Sequence, residues 1–103
     1  MRTQIKGNEA ILVLKEDLVA SRVEALAEEA RLLLKNGGEE LTDIALDASE
    51  IEFIDSRGIS FVVALYKTAS QAGLGFSLRG LSADMYNLCV LMKLDQVFPV
   101  SQR

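Results

Sequence analysis

No histidine occurs among the 103 residues of this sequence, and that absence removes more chemistry than any other. A Ser-His-Asp or Cys-His nucleophile lacks its imidazole base, and zinc sites with imidazole ligands are excluded with it. Cys89 is the single cysteine. It forms no internal disulfide, cannot assemble a thiolate metal site and fits a reducing compartment. Tryptophan is missing and proline occurs once, at Pro99, so no proline-rich linker divides the chain. The longest apolar run, Phe61 to Tyr66, falls far short of the ~20 residues that cross a bilayer. Met1 to Gly7 is polar, unlike the apolar segment of a signal peptide. Positive charge is also scarce: 11 lysines and arginines stand against 15 carboxylates, for a net charge of −4. Scattered cations on an acidic chain argue against binding a nucleic-acid backbone. Carboxylate chemistry, hydroxyl modification and binding remain. The expectation is a cytoplasmic domain.

Half of the residues are apolar, which suits one compact domain over residues 1–103. Ala10 to Leu14 is a nearly continuous apolar run, as in a strand covered on both faces. Thr3 to Lys6 can pair with it across a Gly7-Asn8 turn. Val19, Val23, Leu26, Ala27, Ala30, Leu33 and Leu34 keep a helical stripe. Ser21-Arg22-Val23-Glu24 matches a capping box at its start, with Asp17 an earlier candidate cap. Asn36-Gly37-Gly38 is a stop. Leu41 to Leu46 reads as a second buried strand and Leu74 to Leu78 as a third. Ser82 caps a helix with Met85, Leu88, Cys89 and Met92 on its apolar face. Val97 and Phe98 form a last short strand before Pro99. Strands alternating with helices predict an α/β domain: a mostly parallel mixed sheet of four to five strands with helices packed against it.

The most informative stretch is Asp55-Ser56-Arg57-Gly58. Ile51, Phe53 and Ile54 form an apolar approach, and Ile59, Val62, Val63, Tyr66 and Ala69 follow at helical spacing, which predicts a helix over 56–71. Ser56 then sits where that helix begins. It can serve as the N-cap, or carry a phosphate against the free N–H groups and positive dipole end. Asp55 is either a contact for a modifying enzyme or a favourable charge at the helix start. Gly58 admits close approach of a partner backbone or a neighbouring strand, or loosens the helix entry. Arg57 can pair with Asp55, partly neutralise a phosphate, or stand in solvent. With Ile59, Val62, Val63 and Tyr66 toward the sheet, Phe61, Ala64 and Leu65 lie on another side. That side is either a docking surface or part of a helix buried nearly all round. Cys89, Met85 and Met92 read as core.

The run from Leu46 through Asp47, Phe53, Ile54, Asp55, Ser56, Gly58 and Ile59 resembles the signature of STAS domains, the sulfate transporter and anti-sigma factor antagonist family. The resemblance extends over roughly Ile5 to Val100. Its antagonist branch implies a bacterial partner switch, a substrate and regulator of kinases rather than an enzyme. An anti-sigma factor that is also a serine kinase binds the unphosphorylated domain and phosphorylates the serine after the motif aspartate, and a phosphatase resets it. By position the phosphoacceptor is Ser56, and the expected partner contacts are Asp55, Arg57, Gly58, Phe61 and Asp17. No cofactor or metal is implied, nor direct membrane insertion, and the free domain is expected to be a monomer. A second reading is a stand-alone STAS subunit of a membrane complex, such as a lipid-transport ABC transporter, docking without phosphorylation. A third takes Asp47, Asp55, Glu16 and Asp17 as the acidic cluster of a Mg²⁺-dependent phosphoaspartate receiver.

Overall fold

In the computed structural model, which describes residues 2–37 and 40–103, one five-stranded sheet carries the chain. The elements run β1 (Arg2–Lys6), β2 (Glu9–Val13), α1 (Ala20–Gly37), β3 (Asp43–Asp47), α2 (Ser56–Gln71), β4 (Gly75–Leu81), α3 (Ala83–Leu91) and β5 (Val100–Gln102). The strands lie in chain order, β1-β2-β3-β4-β5. β1 and β2 form an antiparallel hairpin, with Ile5 opposite Ala10. The pairs β2–β3, β3–β4 and β4–β5 are parallel. Parallel neighbours need crossovers, and α1, α2 and α3 supply them. The expected α/β architecture, a mostly parallel mixed sheet with packed helices, is the one observed.

Alternation along the strands decides which residues meet the helices. Ala10, Leu12, Ile44, Leu46, Phe76 and Leu78 are buried in one cluster with Ala30, Val62, Leu65, Met85 and Cys89 from the helices. Each fully buried leucine there contributes roughly 1.5–3 kcal/mol relative to exposure. Burial also pushes the Cys89 thiol up from its ordinary pKa, with Asp95 adding to the shift. The opposite sheet face mixes Ile11, Val13 and Ala45 with Glu9, Asp43, Ser77 and Arg79, and is strapped by an ion pair. The Arg79 guanidinium donates through Nη1 and Nη2 to the Glu9 carboxylate at 3.1 and 2.6 Å, and through Nε to Ser77 at 3.1 Å. The strand register carries that bridge from β4 to β2 over Ala45 of β3, a side chain small enough to lie beneath it. The hydrogen bonds to Glu9 raise the Arg79 pKa further.

Several boundaries differ from expectation. β3 begins at Asp43 rather than Leu41, although Leu41 is buried, and β4 continues past Leu78 to Leu81. α1 starts at Ala20, so Ser21 lies inside its first turn and the expected capping box does not form. The helix runs through Gly37, while Gly38 of the expected stop lies outside the described residues. Val97 and Phe98 are not a strand. Lys93 adopts a left-handed φ of 61° after α3, and a 3-10 turn over Leu94–Gln96 follows. That turn swings Phe98 inward against Tyr66 and Phe76, at centroid distances of 5.3 and 4.9 Å. The last strand therefore begins at Val100, and the Pro99 carbonyl accepts the Leu78 N–H at 2.9 Å.

α3 follows its expected cap: Ser82 accepts from the Met85 N–H at 3.3 Å. Its expected apolar face is only half right. Met85 and Cys89 are buried, but Leu88 and Met92 are exposed. α3 packs against β4, β5 and the 3-10 turn at the sheet edge, and the contacts there cover one narrow stripe.

Candidate functional site

The loop joining β3 to α2 carries the motif, and backbone and carboxylate contacts shape it. Asp47 accepts from the Ser49 N–H at 2.9 Å, and the Ala48 N–H donates to the Arg79 carbonyl at 2.8 Å. Ile51 then plunges into the core. Beyond it the loop pairs with the segment that precedes α1. Leu18 donates to the Phe53 carbonyl at 3.0 Å, and Asp55 donates to the Leu18 carbonyl at 3.1 Å. Asp17 reinforces this short ladder from its side chain, accepting the N–H groups of Glu52 and Phe53 at 2.9 and 3.2 Å. It therefore holds the loop in place rather than capping α1.

One carboxylate serves the N-termini of both long helices. Asp55 Oδ1 accepts the Gly58 N–H at 2.8 Å, which caps α2, and Oδ2 accepts the Ala20 N–H at 3.1 Å, at the start of α1. An N-cap carboxylate satisfies a donor that has no partner within the helix and sits favourably in the dipole field. The Gly58 hydrogen bond holds the Asp55 carboxyl below its ordinary pKa. Partial burial opposes this, while the Ala20 bond and the neighbouring Arg57 add to it. Asp55, not Ser56, is the N-cap of α2. The cap reading of Ser56 is thereby corrected: Ser56 is the first helical residue, and its side chain is exposed. Its carbonyl accepts from the Ser60 hydroxyl at 3.1 Å.

Of the other expected partner contacts, Arg57 is exposed beside Ser56. Gly58 is buried, and a β-carbon there would lie 2.2 Å from the Leu18 carbonyl oxygen and 2.7 Å from Ile54 Cγ2. A close approach that requires glycine is thus made by the segment before α1. Phe61 is also a correction. It is buried at 5% exposure, as is Leu65, and both line the α1–α2 contact with Ala27, Ala30 and Leu34. α1 covers the flank of α2 that sequence spacing left open. The apolar group exposed near Ser56 is instead Phe53, at 54%. Spacing grouped Phe53 with the buried Ile51 and Ile54. No local pattern sets it apart, since alternation places Phe53 with Ile51 and the pairing that shapes this segment runs to Leu18.

Asp17, Asp47 and Asp55 do not converge, because each is turned to different backbone N–H groups. Among the described residues no group of three or more acidic or cysteine side chains is placed to hold a metal ion. Among the described residues no helix is long and apolar enough to cross a membrane.

Known structures share this fold. A candidate anti-sigma factor antagonist of Thermotoga maritima, TM1081, superposes with a TM-score of 0.83 at 21% identity, over 99% of this chain and 86% of that one. The anti-sigma factor antagonist SpoIIAA in its unphosphorylated form gives 0.71 at 17% identity, over 99% and 86%. The murine anion transporter Slc26a9 gives 0.74 at 21% identity, over 93% of this chain but 16% of the transporter. The family model for the MlaB STAS domain matches residues 1–100, and with the fold and the Asp55-Ser56 helix start in their expected places, the chain belongs to the STAS domain family.

Proposed function

We propose that this chain is an anti-sigma factor antagonist of a bacterial partner-switching pathway. It binds a cytoplasmic anti-sigma factor that is also a serine kinase, and Ser56 is the reversible phosphoacceptor, reset by a phosphatase. One observation carries this reading. Ser56 presents an exposed hydroxyl on the first residue of α2, while Asp55 already supplies the cap. A phosphate can therefore be added without uncapping the helix. It brings about −1.5 to −2 charges at pH 7 to the positive end of the α2 dipole, where the domain itself tolerates them. A partner packed over Ser56 must instead desolvate or repel that charge. Asp55 and Arg57 flank the acceptor, and Phe53 is the apolar contact in place of Phe61.

The test is phosphorylation by the cognate kinase and ATP, followed by binding. Wild type should take up one phosphate and lose at least tenfold in affinity, a change that needs only about 1.4 kcal/mol. Ser56→Ala should stay unlabelled and bind constitutively, and Ser56→Asp should bind weakly. Label that persists in Ser56→Ala, or undiminished binding of the phosphorylated form, would sink the proposal.

The match to the MlaB STAS model and the likeness to a STAS-bearing anion transporter support a second reading. Here the chain is a STAS subunit of a membrane complex, docking through the same face without phosphorylation. Stable co-purification of the native protein with transporter subunits, unaffected by Ser56→Ala, favours that assignment.

A further inference from the structure

Two segments remote in sequence are joined at Arg103. Its backbone N–H donates to the Leu81 carbonyl at 3.0 Å, prolonging the pairing of β5 with β4. Its side chain then reaches both the end of β4 and the loop that leads to Ser56. Nε donates to the Gly80 carbonyl at 3.1 Å, Nη1 to Glu52 Oε1 at 3.0 Å, and Nη2 to the Ile51 carbonyl. A planar guanidinium holds three acceptors at once in a fixed fork, which an ammonium does not reproduce. Packing beneath the fork is close. Gly80 has a φ of +76°, and a β-carbon there would lie 2.9 Å from the Ser49 nitrogen. Ile51 is anchored in the core, and Asp17 holds the N–H groups of Glu52 and Phe53. Arg103 thus grips Ile51 and Glu52 through their acceptors, while Asp17 grips Glu52 and Phe53 through their donors.

We propose that Arg103 is a positioning residue for the Ser56 loop. It locks Ile51 to Phe53 onto the end of β4, so that Phe53 and Asp55-Ser56 are offered to the kinase in one geometry. The clamp stands on the contacts above, and its consequence for phosphorylation rests on the proposed function.

Two measurements separate the parts. In amide hydrogen exchange of the full chain, Arg103→Ala should accelerate Ile51, Glu52 and Phe53 at least tenfold while Leu12, Leu46 and Val62 keep wild-type rates. Arg103→Lys should fall between, and Glu52→Gln, which leaves the other contacts in place, should give a smaller rise of about threefold. Wild-type protection at Glu52 and Phe53 in Arg103→Ala overturns the clamp, whatever happens at Ser56. Global acceleration in Arg103→Ala, with no local rise in Glu52→Gln, overturns it as well. In phosphotransfer by the cognate kinase, Arg103→Ala should raise KM at least fivefold with kcat within twofold of wild type, and Arg103→Lys should recover part of the loss. Unchanged KM despite faster exchange overturns the positioning role. Failure of wild type itself to be phosphorylated refutes the function proposed for Ser56, and the exchange result alone then decides the clamp.

Discussion

α2 and α3 are both rich in apolar residues, yet they fare oppositely in the fold. α2 buries Gly58, Ile59, Phe61, Val62, Leu65 and Ala69, because the sheet lies on one side of it and α1 on another. α3 buries Met85 and Cys89 but leaves Leu88, Val90, Leu91 and its C-cap Met92 exposed at 38%, 40%, 80% and 48%. An apolar side chain is buried only where a neighbour exists to cover it, so apolar content alone does not set how much of a helix is buried. Truncations on α2 therefore test packing, and truncations on α3 test its absence.

The largest expected effect is at Phe61. Phe61→Ala empties space between α1 and α2 and should cost about 3–5 kcal/mol in urea denaturation. A loss below about 0.5 kcal/mol would return Phe61 to the surface and erase the contrast with α3. Gly58→Ala should come next, at about 1–3 kcal/mol, because the added carbon meets the Leu18 carbonyl oxygen. Retention of wild-type stability would show that the two loops separate more readily than their hydrogen bonds imply.

Asp55→Asn sharpens the comparison through pH. The folded-state pKa of Asp55 lies below its ordinary value, so its contribution is complete above the unfolded pKa of about 3.9. It is lost as pH falls through the lower folded value. Wild type should therefore be destabilised across that acid window by more than Asp55→Asn, as read from thermal melts at several pH values. Parallel acid limbs would detach the shared cap from stability. The smallest effect belongs to α3, where Leu91→Ala should shift stability by less than about 0.5 kcal/mol. A cost like that of Phe61 would mean that α3 is covered in solution.

Much of the molecule was legible because local rules and tertiary packing agree. Ser56–Gln71 is helical from end to end as its spacing predicts, and Ser82 caps α3. The apolar run after Gly7-Asn8 becomes β2, paired with β1. The candidate site was legible at Asp55 and Ser56 as a helix start. Which of the two residues caps was not, since aspartate and serine are nearly equal as N-caps. Ala20 decided it by lying where Asp55 alone could bridge both helices. Asp17 looked like a cap for the helix that follows it, yet its carboxylate serves Glu52 and Phe53. That pairing spans 35 and 36 residues of sequence, which no local pattern can encode.

The sequence by itself determined the excluded chemistry, the order of strands and helices, and the hydroxyl at the head of α2. Each follows from composition or from a period of two or 3.6 residues along the chain. Only the tertiary structure decided that Phe61 is inside, that Leu88 and Met92 are outside, and that Arg103 meets Ile51. Periodicity defines a face of an element, but what lies opposite that face is set by segments distant in sequence.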